Sequence, residues 1–229
     1  NGTKPDDWAA VAELARQDSR VRPAFGLHPW EVNTRPAGWL DALEAALESC
    51  PGATLGECGL DRWLRDADLP AQLECLEAQW DLAHRRNLPV TVHCLKAAEA
   101  LRQFLANAPR LSRGFLLHAY AGPAEPLDTF LDAGAHFSFN LHLMQPKRTA
   151  ARDTFRALPA DRLLVETDAP AMPPPENLAD YRLSSADGTA LNHPGNIGAA
   201  YCELTHLRNA DPKELQATIA ANFKRLFPD

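Results

Sequence analysis

Four ionisable residues follow short apolar runs in this sequence, and their types suit the binding of a divalent metal ion. They are Glu57 in ATLGECGLD, His93 in LPVTVHC, His118 in GFLLHAYAG and Asp168 in RLLVETDAP. Each run predicts a β-strand that leads through a loop to a helical stretch. In a barrel of parallel strands, the carboxyl ends meet at one face, where active sites of that fold lie. Two imidazoles and two carboxylates at that face predict a divalent-metal site.

Taken singly, each of these residues has an ordinary structural explanation. A His at a strand end is often only hydrogen-bonded, and an Asp before Ala-Pro often begins a turn. Together at four strand ends they favour a metal site, because buried ionisable groups desolvate or repel one another without a cation. Carboxylates permit Mg²⁺ or Mn²⁺ and the histidines also suit Zn²⁺, so one or two ions of any of these metals fit.

Further polar residues lie near the same predicted strand ends. His28 in GLHPW is a candidate metal ligand or substrate contact, and a structural role explains it equally well. Asp61 and Arg62, just beyond Glu57, are candidates for reaching a substrate, and a salt-bridged loop is the alternative. Lys147 and Arg148 are placed either to meet phosphate oxygens or simply to begin a solvated helix.

Three aromatic residues are predicted to lie on the same side of the sheet. Trp30, Trp63 and Tyr120 each follow a predicted strand closely. Aromatic rings in such positions can stack on a nucleobase or another ring. They are therefore candidates for substrate contact.

Predicted strands and predicted helices alternate along the chain. Apolar runs that predict strands lie at 21–29, 53–61, 88–94, 113–119, 135–141 and 162–168. Amphipathic stretches that predict helices lie at 6–18, 39–50, 70–87, 97–108, 123–134, 147–158, 195–207 and 211–226. This alternation is typical of an α/β fold with a parallel sheet. The Pro-rich stretch 169–194 predicts a long loop, which we interpret as an active-site lid.

Composition limits the classes of protein to which the chain can belong. We expect a single domain over residues 1–229, since no linker divides the sequence. The net charge of -7 argues against a basic nucleic-acid coat, although a bound metal can still attract a phosphate locally. No apolar run approaches the roughly 20 residues of a membrane span. Nothing in the sequence implies an oligomer.

Cysteine usage favours a reducing compartment. The five cysteines are odd in number and form no C-x-x-C pair, which argues against a disulfide framework or a thiolate zinc site. Cys58 and Cys94 adjoin proposed ligands, but neighbouring side chains on a strand point to opposite faces. We therefore expect both to be small core residues, and we expect a cytoplasmic protein.

Seven short motifs, in order, resemble the signature blocks of TatD-type metal-dependent hydrolases. They are GLHPW, GECGLD, PVTVH, HAYAG, ETDAP, NHPGNI and NFKRLF, and they run from about residue 21 to the C-terminus. The resemblance implies a (β/α)8 TIM-type barrel, similar to the amidohydrolases, with a one- or two-metal centre. It also implies a metal-dependent deoxyribonuclease that removes nucleotides from a 3′ end, with DNA or another phosphoester as substrate.

The motif match also implies roles for single residues. Glu57 would bridge two metals, His93 and His118 would bind one of them, and Asp168 would bind the other and accept a proton. Glu57 and Asp168 are thus the candidate catalytic residues. The candidate substrate-binding residues are His28, Asp61, Lys96 and Tyr120.

The sequence departs from the family pattern in three places. The family begins with a strand that carries H-x-H, which is absent from this sequence, so we expect two of eight strands to lie before Asn1. Leu95, followed by Lys96, stands where the family often has an Arg. HAYAG replaces the more usual HxFSG, and NLH stands where a Gly often follows the strand.

Two alternatives remain open at this point. The first is an amide or ester hydrolase on the same scaffold, including a deacylase of mischarged tRNA, because fold does not determine substrate. The second is an inactive, metal-binding remnant, because the H-x-H pair is absent from these residues.

Overall fold

The structure is a computed structural model that describes residues 1–227. The chain forms two compact units. The first comprises Asn1–His118, Pro126–Ala135 and the segment that begins at Leu226, and the second comprises Ala119–Glu125 and His136–Arg225. The expectation of a single domain stays a prediction.

The first unit contains four parallel strands that pair in chain order. They are β1 (Ala24–Phe25), β2 (Thr54–Asp61), β3 (Val90–Leu95) and β4 (Phe115–Leu117). Its helices are α1 (Pro5–Gln17), α2 (Trp39–Ser49), α3 (Leu69–Arg86), α4 (Ala98–Leu105) and α5 (Leu127–Asp132). The strands are almost entirely buried, as apolar runs in a helix-covered parallel sheet should be.

Local sequence signals set the ends of these helices. In α1, Pro5 occupies the first turn and the Asp7 carboxylate accepts the backbone N–H of Lys4 at 3.2 Å. In α3, the Asp68 side chain accepts the N–H of Ala71 at 3.0 Å, and Asn87 ends the helix in the left-handed conformation. These caps explain why the predicted helix positions are close to the observed ones.

The second unit is built on two parallel strands. Strand β5 (Ala135–Phe139), which belongs to this unit from His136 onward, pairs with β6 (Leu163–Val165). The helices of this unit are α6 (Thr149–Ala157), α7 (Ile197–Arg208) and α8 (Pro212–Leu226). The Asn222 amide donates to the carbonyls of Ala160 and Leu163, both at 2.8 Å, and so ties α8 to the start of β6.

The predicted alternation of strands and helices is confirmed, with one correction in the Pro-rich stretch. Residues 169–194 are not loop throughout, because β7 (Leu183–Ser184) and β8 (Ala190–Leu191) form a short antiparallel hairpin. Its turn closes where Gly188 has a φ of 83° and the Ser185 N–H donates to the Thr189 carbonyl at 3.0 Å. The Asp-Gly pair is the hairpin signal that the prediction overlooked. The interpretation of this stretch as a lid stays a prediction.

The opening residues and the helices have two further features. Gly2 forms a parallel bridge with Phe25, so residues 2–3 run beside β1 before α1 begins. Within the described residues, none of the helices combines the length and the apolar character that crossing a membrane requires.

Candidate metal centre

One carboxylate oxygen in the first unit lies among three imidazoles. The Oε1 atom of Glu57 is 2.6 Å from Nε2 of His118, 3.2 Å from Nδ1 of His93 and 3.4 Å from Nε2 of His28. All four side chains are nearly buried, at 6 to 14% exposed. The other oxygen of Glu57 has the Asn1 amide at 3.5 Å.

Three of these four residues lie in or directly after neighbouring strands of the parallel sheet. Glu57 lies in β2 where the pairing with β3 shifts between Leu55 and Cys58. Such a bulge redirects the side chain of the unpaired residue. His93 lies on β3, and His118 directly follows β4 and continues the ladder by donating its N–H to the Val92 carbonyl at 3.2 Å.

His28 reaches the same group from the loop after β1. It precedes a 3-10 helix, Pro29–Thr34, and its Nδ1 accepts the N–H of Trp30 at 3.2 Å. Nδ1 is thereby engaged in a local cap, which leaves Nε2 facing Glu57. The cap therefore fixes which ring nitrogen of His28 is available to a ligand.

Close backbone approach between β2 and β3 requires glycine at position 59. Gly59 pairs with His93 and has a φ of 139°, outside the range that L side chains adopt readily. A Cβ atom there would lie 2.0 Å from the carbonyl oxygen of His93. The glycine in GECGLD therefore allows the strand bearing His93 to lie against the strand bearing Glu57.

A second carboxylate, Asp61, contacts the opposite nitrogen of His93. Its Oδ2 accepts from Nε2 of His93 at 3.1 Å and from the Trp30 indole N–H at 2.7 Å. Its Oδ1 accepts the backbone N–H of Trp63 at 2.7 Å. The side chain is only 2% exposed, which argues against the direct substrate contact that the sequence predicts. A carboxylate behind a ligating histidine fixes its tautomer and orientation.

Opposing charges and burial set the pKa values in this group. Burial raises the pKa of Glu57, but His118, His28 and His93 outweigh it, and the pKa lies well below its ordinary value. Burial raises the pKa of Asp61 too, yet hydrogen bonds from His93, Trp30 and Trp63 lower it to about 2. Both carboxylates are therefore ionised at neutral pH.

Two of the histidines have pKa values shifted in opposite directions. Burial lowers the pKa of His28, and this effect exceeds the attraction of Glu57. Burial also lowers the pKa of His93, but Asp61 and Glu57 together raise it above its ordinary value. The neutral imidazole, which is the metal-binding form, is thus favoured at His28, whereas the protonated form is favoured at His93 more than in a free imidazole and would oppose metal binding there.

The donor set fits a divalent cation. His28, Glu57 and His93 each offer one ligand atom, and these atoms all lie within 4.8 Å of one another. Nδ1 of His93 also lies 3.3 Å from Nε2 of His118, so two ring nitrogens crowd one carboxylate oxygen. Such crowding is relieved by a shared proton or a cation. The predicted ligands Glu57, His93 and His118 are brought together, and His28 joins them.

Neither neighbouring cysteine belongs to this set of potential ligands. The thiol of Cys58 is fully buried and lies 3.8 Å from the Thr91 carbonyl oxygen, as expected for a core residue. Cys94 is half-buried, and burial raises the pKa of its thiol to about 12. All five cysteines are free.

The two remaining candidates for substrate contact differ in exposure. The Lys96 ammonium lies 4.1 Å from the centre of the Trp63 ring, and Trp63 is 66% exposed. Tyr120, in the second unit, is 1% exposed, with its hydroxyl donating to the Pro123 carbonyl at 2.6 Å and its ring against Phe137. The buried ring of Tyr120 argues against its predicted contact with a substrate.

Asp168 lies in the second unit, in a braced loop after β6. It has a left-handed backbone with a φ of 60°, which Asp tolerates better than most residues. The Asn192 amide donates to the carbonyls of Thr167 at 2.6 Å and Met172 at 3.1 Å. The role of Asp168 as ligand and proton acceptor stays a prediction from the ETDAP motif.

Sequence reasoning overlooked a polar group in the second unit. The carboxylate of Glu166 accepts from the Ser138 hydroxyl at 2.6 Å and from the Asn140 amide at 3.0 Å. The signal was available, since Ser138 and Asn140 alternate with phenylalanine along β5 and Glu166 directly follows β6. Elsewhere in this unit, the Arg148 guanidinium donates to Nε2 of His142 at 2.9 Å.

Comparison with known proteins points to one family of hydrolases. The family model described as TatD related DNase matches residues 1–228. The "3'-5' ssDNA/RNA exonuclease TatD" of Citrobacter koseri is 29% identical over 231 aligned residues, which cover 99% of this chain and 85% of that protein. The "uncharacterized metal-dependent hydrolase YjjV" of Escherichia coli K12 is 29% identical over 227 residues, covering 98% and 83%.

Solved structures support the fold. The crystal structure of the E. coli TatD homologue YjjV superposes with a TM-score of 0.89 at 27% identity, covering 100% of this chain and 85% of the other. A TatD-family hydrolase from Entamoeba histolytica has a TM-score of 0.83 at 19% identity, covering 99% and 83%, and shows the fold alone. The predicted fold class is thereby confirmed, and the chain belongs to the TatD-related DNase family of metal-dependent hydrolases.

Proposed function

We propose that this protein is a phosphodiesterase that releases nucleotides from the 3′ end of single-stranded DNA. The observation that carries the proposal is the Glu57 carboxylate, which lies within 3.4 Å of three imidazole nitrogens. The names of the relatives, which include 3′-5′ exonucleases, support the choice of nucleic acid as the substrate. The negative net charge is compatible, because attraction for a phosphodiester would be local to the site.

His28, Glu57, His93 and His118 would hold the metal, as one ion or a pair of Mg²⁺, Mn²⁺ or Zn²⁺. A bound divalent ion lowers the pKa of water and polarises a phosphoryl oxygen. The two ionised carboxylates, Glu57 and Asp61, supply the negative charge that retains a cation in this buried group. We also propose a cytoplasmic location, which the five free cysteines support.

The chain's own residues supply orientation and proton transfer. Asp61 holds Nε2 of His93, so that Nδ1 stays directed at Glu57. Asp168 would accept a proton from the attacking water as general base. The water oxygen then bonds to phosphorus while the bond from phosphorus to the 3′ oxygen of the preceding nucleotide breaks, and that oxygen takes up a proton to become a hydroxyl. A mononucleotide and a strand shortened by one unit are the products.

The test is release of nucleotide from 3′-labelled single-stranded DNA in the presence of Mg²⁺, Mn²⁺ or Zn²⁺. The Asp168→Asn protein should retain its fold and lose turnover, since the amide cannot accept the proton. Asp132→Asn, which alters an exposed carboxylate at the end of α5, is the matched control. A metal-loaded wild-type protein that releases nothing would refute the proposal and turn attention to amide or ester substrates, including mischarged tRNA.

A further inference from the structure

Two tryptophans beside the candidate metal centre are largely exposed, although each donates one hydrogen bond to a buried carboxylate. Trp30 is 60% exposed and Trp63 is 66% exposed. Trp is usually among the well-buried residues, so a pair of exposed indoles is an unusual use of apolar surface. Both are attached to the same residue, Asp61, which also holds His93.

The Trp30 ring is fixed at its polar edge and lies against the histidines. Its Nε1–H donates to Oδ2 of Asp61 at 2.7 Å. Its ring centroid lies 4.7 Å from that of His28 and 6.3 Å from that of His93, in edge-to-face arrangements. Because its one donor is engaged internally, the exposed part of Trp30 is apolar ring surface immediately next to the ligands.

The second indole carries a cation. The backbone N–H of Trp63 donates to Oδ1 of Asp61 at 2.7 Å, which fixes the main chain but leaves the ring in solvent. Lys96, which follows the last residue of β3 and has a φ of 52°, places its ammonium 4.1 Å from the centre of that ring. An exposed aromatic ring with an adjacent cation is the combination that binds single-stranded nucleic acid.

These contacts carry a specific assignment, which rests on the function proposed above. We propose that Trp30 and Trp63, together termed the Trp ledge, stack on unpaired bases near the 3′ end of the substrate strand, and that Lys96 meets a backbone phosphate. Attachment of the ledge to Asp61 sets the position of the bases relative to His93 and Glu57. A base that is paired in a duplex has no free face for the ledge. The ledge thereby selects a single-stranded end and accepts any base, because every base has a π-face.

The proposal is tested by binding without turnover. Fluorescence anisotropy is measured in EDTA for a short oligothymidylate and for a strand of equal length whose last two 3′ sugars carry no base. The two strands carry the same charge, so repulsion from the acidic centre cancels in their ratio. The wild-type protein should bind the complete strand on the order of ten-fold more tightly.

Matched variants separate stacking from a structural role. Trp30→Ala and Trp63→Ala should each reduce the preference for the complete strand, and the double variant should abolish it. Trp30→Phe and Trp63→Phe should keep most of it, because they retain a ring, although Trp30→Phe loses the hydrogen bond to Asp61. Leu14→Ala, which truncates an exposed apolar residue of α1, should leave the preference unchanged.

Three results would overturn the proposal. The first is equal binding of the complete and abasic strands by the wild type. The second is a preference for the complete strand that persists in the double alanine variant. The third is an equal loss of that preference in Trp30→Phe and Trp30→Ala.

The cleavage assay with the 3′-labelled strand is run in parallel. Cleavage without base-dependent binding refutes the ledge and leaves the nuclease proposal intact. Base-dependent binding without cleavage refutes the nuclease proposal and leaves the ledge intact.

Discussion

Nε2 of His93 donates to the Asp61 carboxylate at 3.1 Å, while Nδ1 of the same ring lies 3.2 Å from Glu57. The carboxylates of Asp61 and Glu57 therefore contact opposite nitrogens of one imidazole ring. Asp61 is ionised, with a pKa lowered to about 2, so it can only accept, and in the neutral form of His93 the ring proton is therefore on Nε2. If His93 binds a metal as proposed, Nδ1 would therefore be the ligating atom and Asp61 would position the ring.

Removing the charge of Asp61 should weaken metal binding. We expect Asp61→Asn to lower metal affinity about 10- to 100-fold, because an outer carboxylate orients the ligating ring and increases its basicity. Isothermal titration with Mn²⁺ or Zn²⁺ measures the change. Asp66→Asn, an exposed carboxylate in the following loop, should bind as the wild type does. Unchanged affinity in Asp61→Asn would show that the contact has no positioning role.

The titration of His93 in the metal-free protein should respond to the same substitution. Its pKa is raised above 6.5, so the charged ring stabilises the fold fully below pH 6.5. That contribution is lost as the pH rises through the raised folded-state pKa. Asp61→Asn removes the attraction of the Asp61 carboxylate for the charged ring and should lower the pKa of His93. The imidazole nitrogen chemical shifts, followed by NMR against pH, measure this pKa. A shift to higher pH would contradict the assignment of the raised pKa to Asp61.

His28 should behave as a metal ligand and not solely as a substrate contact. Its Nε2 lies 3.4 Å from Glu57, and burial keeps its pKa low. We expect His28→Gln and His118→Gln each to reduce metal content after dialysis, measured by mass spectrometry, without loss of helical circular dichroism. His84→Gln, which alters an exposed residue of α3, serves as control. Normal metal content in His28→Gln would show that His28 is not a metal ligand and would favour its role as a substrate contact.

Gly59→Ala should destabilise the fold. The added Cβ would lie 2.0 Å from the His93 carbonyl oxygen at a φ of 139°. Strain at such a backbone conformation alone costs roughly 1–3 kcal/mol, and the clash adds to it. Urea unfolding of the metal-free protein measures the loss of free energy of unfolding. Gly52→Ala, with a φ of 83° and no atoms near its Cβ, isolates the backbone contribution. Equal losses in the two variants would refute the close-approach argument.

Lys96→Met should weaken strand binding through charge alone. In the proposed binding mode the Lys96 ammonium would contact one phosphate, so affinity for complete and abasic strands should fall by the same factor. The slope of log affinity against log salt should become shallower by about 0.7, the value expected per phosphate on a single strand. Titrations at several salt concentrations measure it. An unchanged slope would show that Lys96 serves only to cover Trp63.

Much of the fold and several site residues follow from the sequence alone. Apolar runs and amphipathic periods are local signals, so they predict the positions of strands and helices without reference to tertiary contacts. Glu57, His93 and His118 are candidates because each follows a short apolar run that predicts a strand, and parallel strands bring such positions together. Ordered motifs then indicated the family, which the match over residues 1–228 confirms.

Tertiary structure alone decided how the side chains of the site are directed. The bulge that turns Glu57 inward depends on pairing with β3, and the inward position of Asp61 depends on Trp30 and His93 from other elements. The burial of Tyr120 likewise depends on Phe137, which is distant in sequence. Residue type and spacing specify which groups reach one face of a sheet. Only packing between distant segments determines which of these side chains can bind a ligand, which hold a neighbouring side chain in place, and which remain exposed to solvent.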